Sequence, residues 1–346
     1  ASHPFTSVLT GDESLCRRPM GRVTGPLELM GARFVARAGG RLPLTVMGAA
    51  EGRPIRYVLP VASAQVKSAI LLAALNVPGE TAVIEAMATR DHTERMLGHF
   101  GAKVTVEDTA EGRVVCLAGE PELAGCALRV PADISSAAFP MAAALLCPDS
   151  AVTLSAVGVN PLRAGLLVTL EEMGADIALS NPRDEAGEPV ADIAVRSGAL
   201  RAVDTPPERA PSMIDEFPIL AVLAAAATGT SRLRGLGELR VKESDRFAAI
   251  LTGLAACGAK VEAEGDDILV YGTGGRPLAG GATVRADHDH RIAMAFLVLG
   301  LAAAAPVRVT GAETIATSFP GFTALMAGLG ARIEDGGDHG GEESAP

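Results

Sequence analysis

The chain has no tryptophan, two tyrosines and nine phenylalanines in 346 residues, so aromatics make up only 3%. Base-stacking platforms and sugar-stacking clefts need such rings, and both are excluded. Positive charge is short as well. Lys and Arg number 30 against 41 Asp and Glu, for a formal net charge of −11, which argues against a sequence-independent hold on nucleic acid. A local basic site for a small anion is still allowed. Cysteine is sparse and odd in number: Cys16, Cys116, Cys126, Cys147 and Cys257, with no CxxC pair and no Cys beside His290. Zinc spacing is therefore absent, no metal is expected, and a reducing compartment, the cytoplasm, fits best. The longest apolar run, Ile292 to Val307, is closed by Arg291 and Arg308. It falls short of the ~18–20 residues that span a bilayer and reads as a buried helix. No signal-peptide pattern opens the chain, which begins with Ala1. There is no GxGxxG after a strand, no GxxxxGK(S/T) and no GxSxG, so hydride transfer and nucleotide hydrolysis are not expected.

What is present is a repeat. An apolar residue, Gly, Ala and a charged residue recur as Met30-Gly31-Ala32-Arg33, Phe100-Gly101-Ala102-Lys103, Met173-Gly174-Ala175-Asp176, Cys257-Gly258-Ala259-Lys260 and Leu329-Gly330-Ala331-Arg332. Glycine directly after a helical stretch is the usual left-handed helix stop. The alternation that follows, as in Lys103-Val104-Thr105-Val106, predicts a strand, so each of the five is read as a helix-to-strand junction. Upstream of four of these junctions lies an Ala-rich helix with a polar start, near Ser63, Ile134, Met213 and His288. Short β-rich pieces follow those helices at Glu80–Ile84, Ala151–Leu154, Thr230–Leu233 and Pro306–Val309. Strands at Tyr57–Pro60 and Leu128–Pro131 lead into the first two. The unit is βαβαββ, about 70 residues long, and the chain holds about four and a half of them. The 48% apolar fraction is ample for two cores.

Cations collect at the helix starts of this acidic chain. Arg17, Arg18 and Arg22 flank Pro19-Met20-Gly21; Ser63 and Gln65 open a helix with Lys67 one turn inside; Arg90 precedes a helix carrying His92 and Arg95. Lys242, Glu243 and Arg246 occupy the same place two units later, and Arg291 opens the last Ala-rich helix. Free N–H groups and the helix dipole favour anions at such ends. Each residue also has a plainer reading. Ser63 and Ser135 suit N-caps, Asp215 and Glu216 complement a helix start, Asp289 to Arg291 make a cap with a local ion pair, and His92 is structural. Recurrence across units favours anion sites.

Lys242-Glu243-Ser244-Asp245-Arg246, Asp289-His290-Arg291-Ile292-Ala293-Met294, Arg18-Pro19-Met20-Gly21 and Ser63-Ala64-Gln65 together resemble the 5-enolpyruvylshikimate-3-phosphate synthase family, from about Gly11 to Leu329. Arg90-Asp91-His92-Thr93-Glu94 and Thr317-Ser318-Phe319-Pro320 look like its class II branch, in which glyphosate-tolerant members occur. The resemblance implies an α/β fold of two domains built from βαβαββ units, helices inside and sheets outside, with the site in the cleft between domains. It implies transfer of the enolpyruvyl group of phosphoenolpyruvate to the 5-hydroxyl of shikimate 3-phosphate, without metal or organic cofactor. By family pattern Arg18, Glu243, Arg246 and Arg291 bind phosphoenolpyruvate. Ser63, Ala64, Gln65, Arg90, Asp215 and Lys242 hold shikimate 3-phosphate, and Gln65 reaches both. Asp215 and Glu243 are the acid–base pair, with Lys242 beside them.

The family's N-terminal Lys-Ser motif and its Asn-Ala-Gly-Thr loop do not occur in this sequence. The expectation is thus a partial first domain over 1–127 and a complete second domain over 128–346, with a loose tail from about 335. About 100 residues would be missing from the first domain. This chain alone would then be incomplete, its missing part removed or supplied as a separate fragment, and the complete protein would be a monomer. Glyphosate is an expected further ligand; nucleic acid and membranes are not. Two other readings stand beside this one: a noncatalytic anion-binding paralogue, and the sister transferase acting on UDP-N-acetylglucosamine. Cys16 lies two residues before Arg18, not at the longer spacing of that sister family's loop cysteine.

Overall fold

Five glycines end five helices in the same way. Gly31, Gly101, Gly174, Gly258 and Gly330 all have φ between 78° and 106°. At each, the glycine N–H and the next alanine N–H turn back onto the last helical turn. Gly31 donates to Glu28 at 3.0 Å and Ala32 to Leu27 at 3.1 Å, while Gly330 donates to Ala327 and Ala331 to Met326, both at 2.9 Å. This paired bond is the Schellman stop, and it needs a residue that tolerates the left-handed region. Four of the stops run into strands, Arg33–Arg37, Val104–Thr109, Asp176–Glu185 and Lys260–Glu264.

The computed structural model describes residues 1–336. Most of the tail expected to be loose lies outside the described residues. The chain divides into two units, Ala1–Pro131 with Arg183–Val190, and Ala132–Pro182 with Ala191–Pro346. A contiguous second domain, 128–346, was expected; the hairpin tip Arg183–Val190 groups instead with the first unit. There Arg95 donates to the Gly187 carbonyl at 3.0 Å, and His92 Nδ1 lies 2.7 Å from Glu188.

Unit 1 has two sheets. In the first, Arg41–Met47 lies between Thr6–Leu9 and Arg33–Arg37, antiparallel to both. The second runs Arg56–Val58, Glu80–Glu85, Gly112–Ala118, Val104–Thr109, with its first pair parallel across the helix Ala64–Ala74. Ile70, Leu71 and Ala74 of that helix are fully buried with Val83, Val115 and Leu117.

Unit 2 repeats the pattern. Its sheets order as Ala151–Gly158, Glu188–Arg196, Asp176–Glu185, then as Asp204–Thr205, Thr230–Leu233, Asp267–Tyr271, Lys260–Glu264. A parallel pair, Thr283–Arg285 with Arg308–Thr310, belongs to the third repeat. Helices Ile134–Leu146, Phe217–Ala226 and His290–Ala302 pack on one another. Phe217 to Ala225 are buried at every position, as expected of a helix apolar all round. These three helices carry the core. Leu128–Pro131 forms no strand; pairing shrinks to one bridge, Ala132 to Val157, since Pro131 has no N–H for a ladder. Three full units were also expected in this half. After Gly330 no strand follows among the described residues, so the third lacks its closing hairpin there. Nor does any helix among them have the length and apolarity to cross a membrane.

Candidate active site

The starts of the buried helices in unit 2 carry its charged residues, and the helix packing brings those starts together. Asp289 caps His290–Ala302, its carboxylate accepting from the Arg291 N–H at 3.0 Å. Asp245 caps Arg246–Ala256 in the same manner. Gly253 in that helix has no side chain where the Phe296 ring passes; an added Cβ would stand 2.2 Å from it. This close crossing lets Arg246 reach Asp289.

Arg246 is fully buried and holds three carboxylates. Its Nε donates to Asp289 at 2.8 Å, Nη1 to Asp215 at 3.1 Å, and Nη2 to Glu243. Ser244 adds a bond to Asp289 at 3.0 Å. A guanidinium has five N–H donors in a rigid fork, so Arg246 keeps donors beyond these three bonds.

Asp215 stands among four cations. Besides Arg246, it lies 3.7 Å from Arg163, 3.8 Å from Lys242 and 3.8 Å from Arg291. Burial alone would push its carboxyl up, but the charges of Arg291, Lys242, Arg246 and Arg163 outweigh that and hold it well below the usual carboxylate range. It is ionised at neutral pH. Asp289 behaves alike: burial raises it, while Arg246 and bonds from Arg291 and Ser244 lower it further. Burial, then the charge of Arg291, hold His290 below its ordinary value.

Arg163 was not singled out in the sequence. It is buried and grips Glu216 with both nitrogens, at 2.8 and 3.2 Å, while also donating to the Ser135 hydroxyl. Ser135 therefore does not cap its helix; Asp133 does. The helix expected to open at Met213 begins only at Phe217, with Glu216 as its N-cap residue. Asp215 thus sits on a turn, one residue before the cap.

Arg18, Ser63, Ala64, Gln65 and Arg90 all lie in unit 1. Ser63 is the N-cap of Ala64–Ala74 and accepts from the Val66 N–H at 3.4 Å. The Ala64 and Gln65 N–H groups have no acceptor within the helix, and Gln65 is exposed. Arg18 donates to Ser14 at 3.4 Å. Arg90 is half-buried, directly after buried Thr89. Lys67, grouped with the anion-binding cations on sequence, is not at the surface. It is 1% exposed and paired with Glu85 at 2.9 Å and Glu94 at 2.6 Å.

Unit 2 thus holds paired carboxylates, Asp215 and Glu243, joined through one arginine and edged by Lys242 and Arg291. Such a set can move protons beside a bound anion. No His, Cys, Asp and Glu cluster among the described residues could hold a metal ion.

A family model of EPSP synthase (3-phosphoshikimate 1-carboxyvinyltransferase) matches residues 1–326. The 3-phosphoshikimate 1-carboxyvinyltransferase of Paramagnetospirillum magneticum is 64% identical over 334 residues, covering 96% of this chain and 75% of that protein. Its counterpart in Rhodospirillum rubrum is 60% identical, covering 96% and 74%. The solved EPSP synthase of Acinetobacter baumannii superposes with a TM-score of 0.85 at 45% identity, over 96% of this chain and 75% of that one. NikO of Streptomyces tendae, an enolpyruvyl transferase, shares the fold at a TM-score of 0.73 and 17% identity, over 95% and 74%. The expected missing N-terminal segment, with an incomplete first domain and a separate fragment to fill it, is not supported by these matches. Matched by the family model over residues 1–326 and 64% identical to a curated member, the chain belongs to the EPSP synthase (3-phosphoshikimate 1-carboxyvinyltransferase) family.

Proposed function

We propose that this chain transfers the enolpyruvyl group of phosphoenolpyruvate to the 5-hydroxyl of shikimate 3-phosphate, releasing phosphate. The observation that carries the reading is the carboxylate pair Asp215 and Glu243 on Arg246, with Lys242 and Arg291 beside it. In the first step the hydroxyl oxygen bonds to C2 of phosphoenolpyruvate as its proton leaves, and the methylene carbon gains a proton. In the second, the tetrahedral adduct loses phosphate while the new methyl group returns a proton.

The electrostatics assign one of the two roles. A carboxyl held as low as Asp215 carries no proton to give, so it is the acceptor for the 5-hydroxyl. The other member of the pair, Glu243, is left to pass a proton to the methylene and take it back. Free Asp215 is a weak base, because four cations stabilise its charge. Substrate anions arriving on Lys242 and Arg291 neutralise that field and raise its basicity when the hydroxyl is in place. Arg291, Arg18 and the remaining donors of Arg246 suit the carboxylate and phosphate of phosphoenolpyruvate. Lys242, with the Ser63-Ala64-Gln65 helix start and Arg90, suits shikimate 3-phosphate. The Ser63-Ala64-Gln65 and Thr317-Ser318-Phe319-Pro320 sequences favour the class II branch, glyphosate is a further ligand, and the scattered thiols fit a cytoplasmic setting.

Phosphate release with shikimate 3-phosphate as acceptor, measured beside UDP-N-acetylglucosamine, tests the reading. Release with the first and none with the second is expected. Release only with the second would transfer the chain to the sister activity, and release with neither would leave an anion-binding paralogue.

A further inference from the structure

Lys67 lies in the first turn of Ala64–Ala74, two residues beyond Gln65. Its Nζ reaches three other pieces of chain: Glu85 at the end of a strand at 2.9 Å, the Thr89 carbonyl at 3.5 Å, and Glu94 in the first turn of His92–His99 at 2.6 Å. Thr89 also donates its hydroxyl to Glu85, and Ser68 shares a bond with Thr93 at 2.7 Å. All of these groups lie in unit 1. One helix start carries Ser63 and Gln65, and the tied loop carries Arg90 between Thr89 and Asp91.

We infer that Lys67 is a positioning residue for shikimate 3-phosphate: its ammonium fixes the spacing between the Ser63–Gln65 helix start and the Arg90 loop. The inference rests on the assignment of those residues to that substrate. Surface contacts between two such segments would let them shift. A buried ammonium with three acceptors in different directions does not, because each displacement strips a charge of its partner where water cannot replace it. The trio carries two carboxylates on one lysine, so it contributes little to stability through charge balance. Burial, ahead of the opposing Lys67 charge, pushes the Glu94 carboxyl up. An apolar filling would stabilise such a place as well; what the lysine adds is geometry.

The experiment uses the full chain with two variants. Lys67→Met with Glu94→Gln removes the tie while leaving the buried net charge unchanged. Lys67→Arg keeps the charge but alters its reach. Steady-state kinetics and calorimetric titration with shikimate 3-phosphate are read for each. The double variant is expected to raise KM and Kd for shikimate 3-phosphate by about 10–100-fold, the scale of an ångström misplacement. KM for phosphoenolpyruvate, to which only Gln65 of these residues is also assigned, should rise at least about threefold less. Lys67→Arg is expected to weaken the same substrate about tenfold, and it alone decides the matter if the double variant does not fold. Unchanged shikimate 3-phosphate binding in a folded variant would overturn the inference, as would an equal rise in both KM values, which would mark general loosening. If the unaltered chain neither binds nor turns over shikimate 3-phosphate, the substrate assignment fails first and the inference with it.

Discussion

Arg246 and Asp215 show how one side chain's chemistry depends on the charges around it. Arg246 is entirely buried, a position a guanidinium tolerates only when paired, and its three carboxylates come from three separate stretches of chain. Asp215 has the reverse arrangement, one carboxylate among four cations. Removing the charge of either proposed proton carrier isolates its role. Asp215→Asn and Glu243→Gln are each expected to lower kcat by about 10²–10⁴, and near-normal turnover in both would reject the acid–base pair. Lys242→Met should act differently, raising KM for shikimate 3-phosphate more than it lowers kcat. Initial-rate kinetics with each substrate varied would separate these outcomes.

Among the elements, helix Arg246–Ala256 does most to assemble the site, because its N-terminus presents Arg246 and its middle crosses His290–Ala302. The crossing depends on Gly253, whose missing side chain leaves room for the Phe296 ring. Gly253→Ala would improve intrinsic helix propensity by about 1 kcal/mol. Overpacking, at about 1–3 kcal/mol, is the larger effect. The variant should therefore melt lower, and turnover should fall more than the melting change explains, since Arg246 moves away from Asp289. A higher Tm with unchanged turnover would show that the two helices have slack between them. The glycine stops act on a smaller span: replacing Gly174, at φ 78° with open space around it, would strain the backbone without any clash.

For the molecule as a whole, the two units have separate cores, and the charged network belongs to the larger one. This makes stability depend on pH in a definite direction. Asp215 and Asp289 have carboxyls lowered by folding. Their contribution is fully present above the unfolded value of about 3.9 and is lost as pH falls below it. Glu94, raised by burial, works the other way: its penalty fades as pH falls through its folded value. The lowered carboxyls act below their unfolded value and the raised one above it, so the urea midpoint should not fall from about pH 7 to 5 and should drop below about pH 4. Asp289→Asn should flatten that drop while lowering the midpoint at neutral pH. A midpoint constant down to pH 3 would contradict the assignment of these charges.

Local features were legible in the sequence because they are decided within a few residues. Each Gly-Ala stop closes its bonds inside six residues, so the five helix ends could be read directly; of the five strands expected after them, four form and none follows Gly330 among the described residues. The caps at Ser63 and Asp289 are equally local. The family motifs pointed to Asp215, Lys242, Glu243, Arg246 and Arg291, which the structure gathers in unit 2. What the sequence could not show depends on distant partners. Arg163 reaches Glu216 across 53 positions and Ser135 across 28, and no spacing rule links them. Lys67 read as one more anion-binding cation until a strand end and a second helix start brought Glu85 and Glu94 onto it. Ser135 read as a cap because the pattern does not reveal which of two neighbouring polar residues turns outward. Sequence alone therefore determined where helices stop, which faces are apolar and which residue types could handle anions. The tertiary structure decided which of those charges are buried and with whom they pair, because burial and pairing arise only when segments far apart in the chain exclude water together.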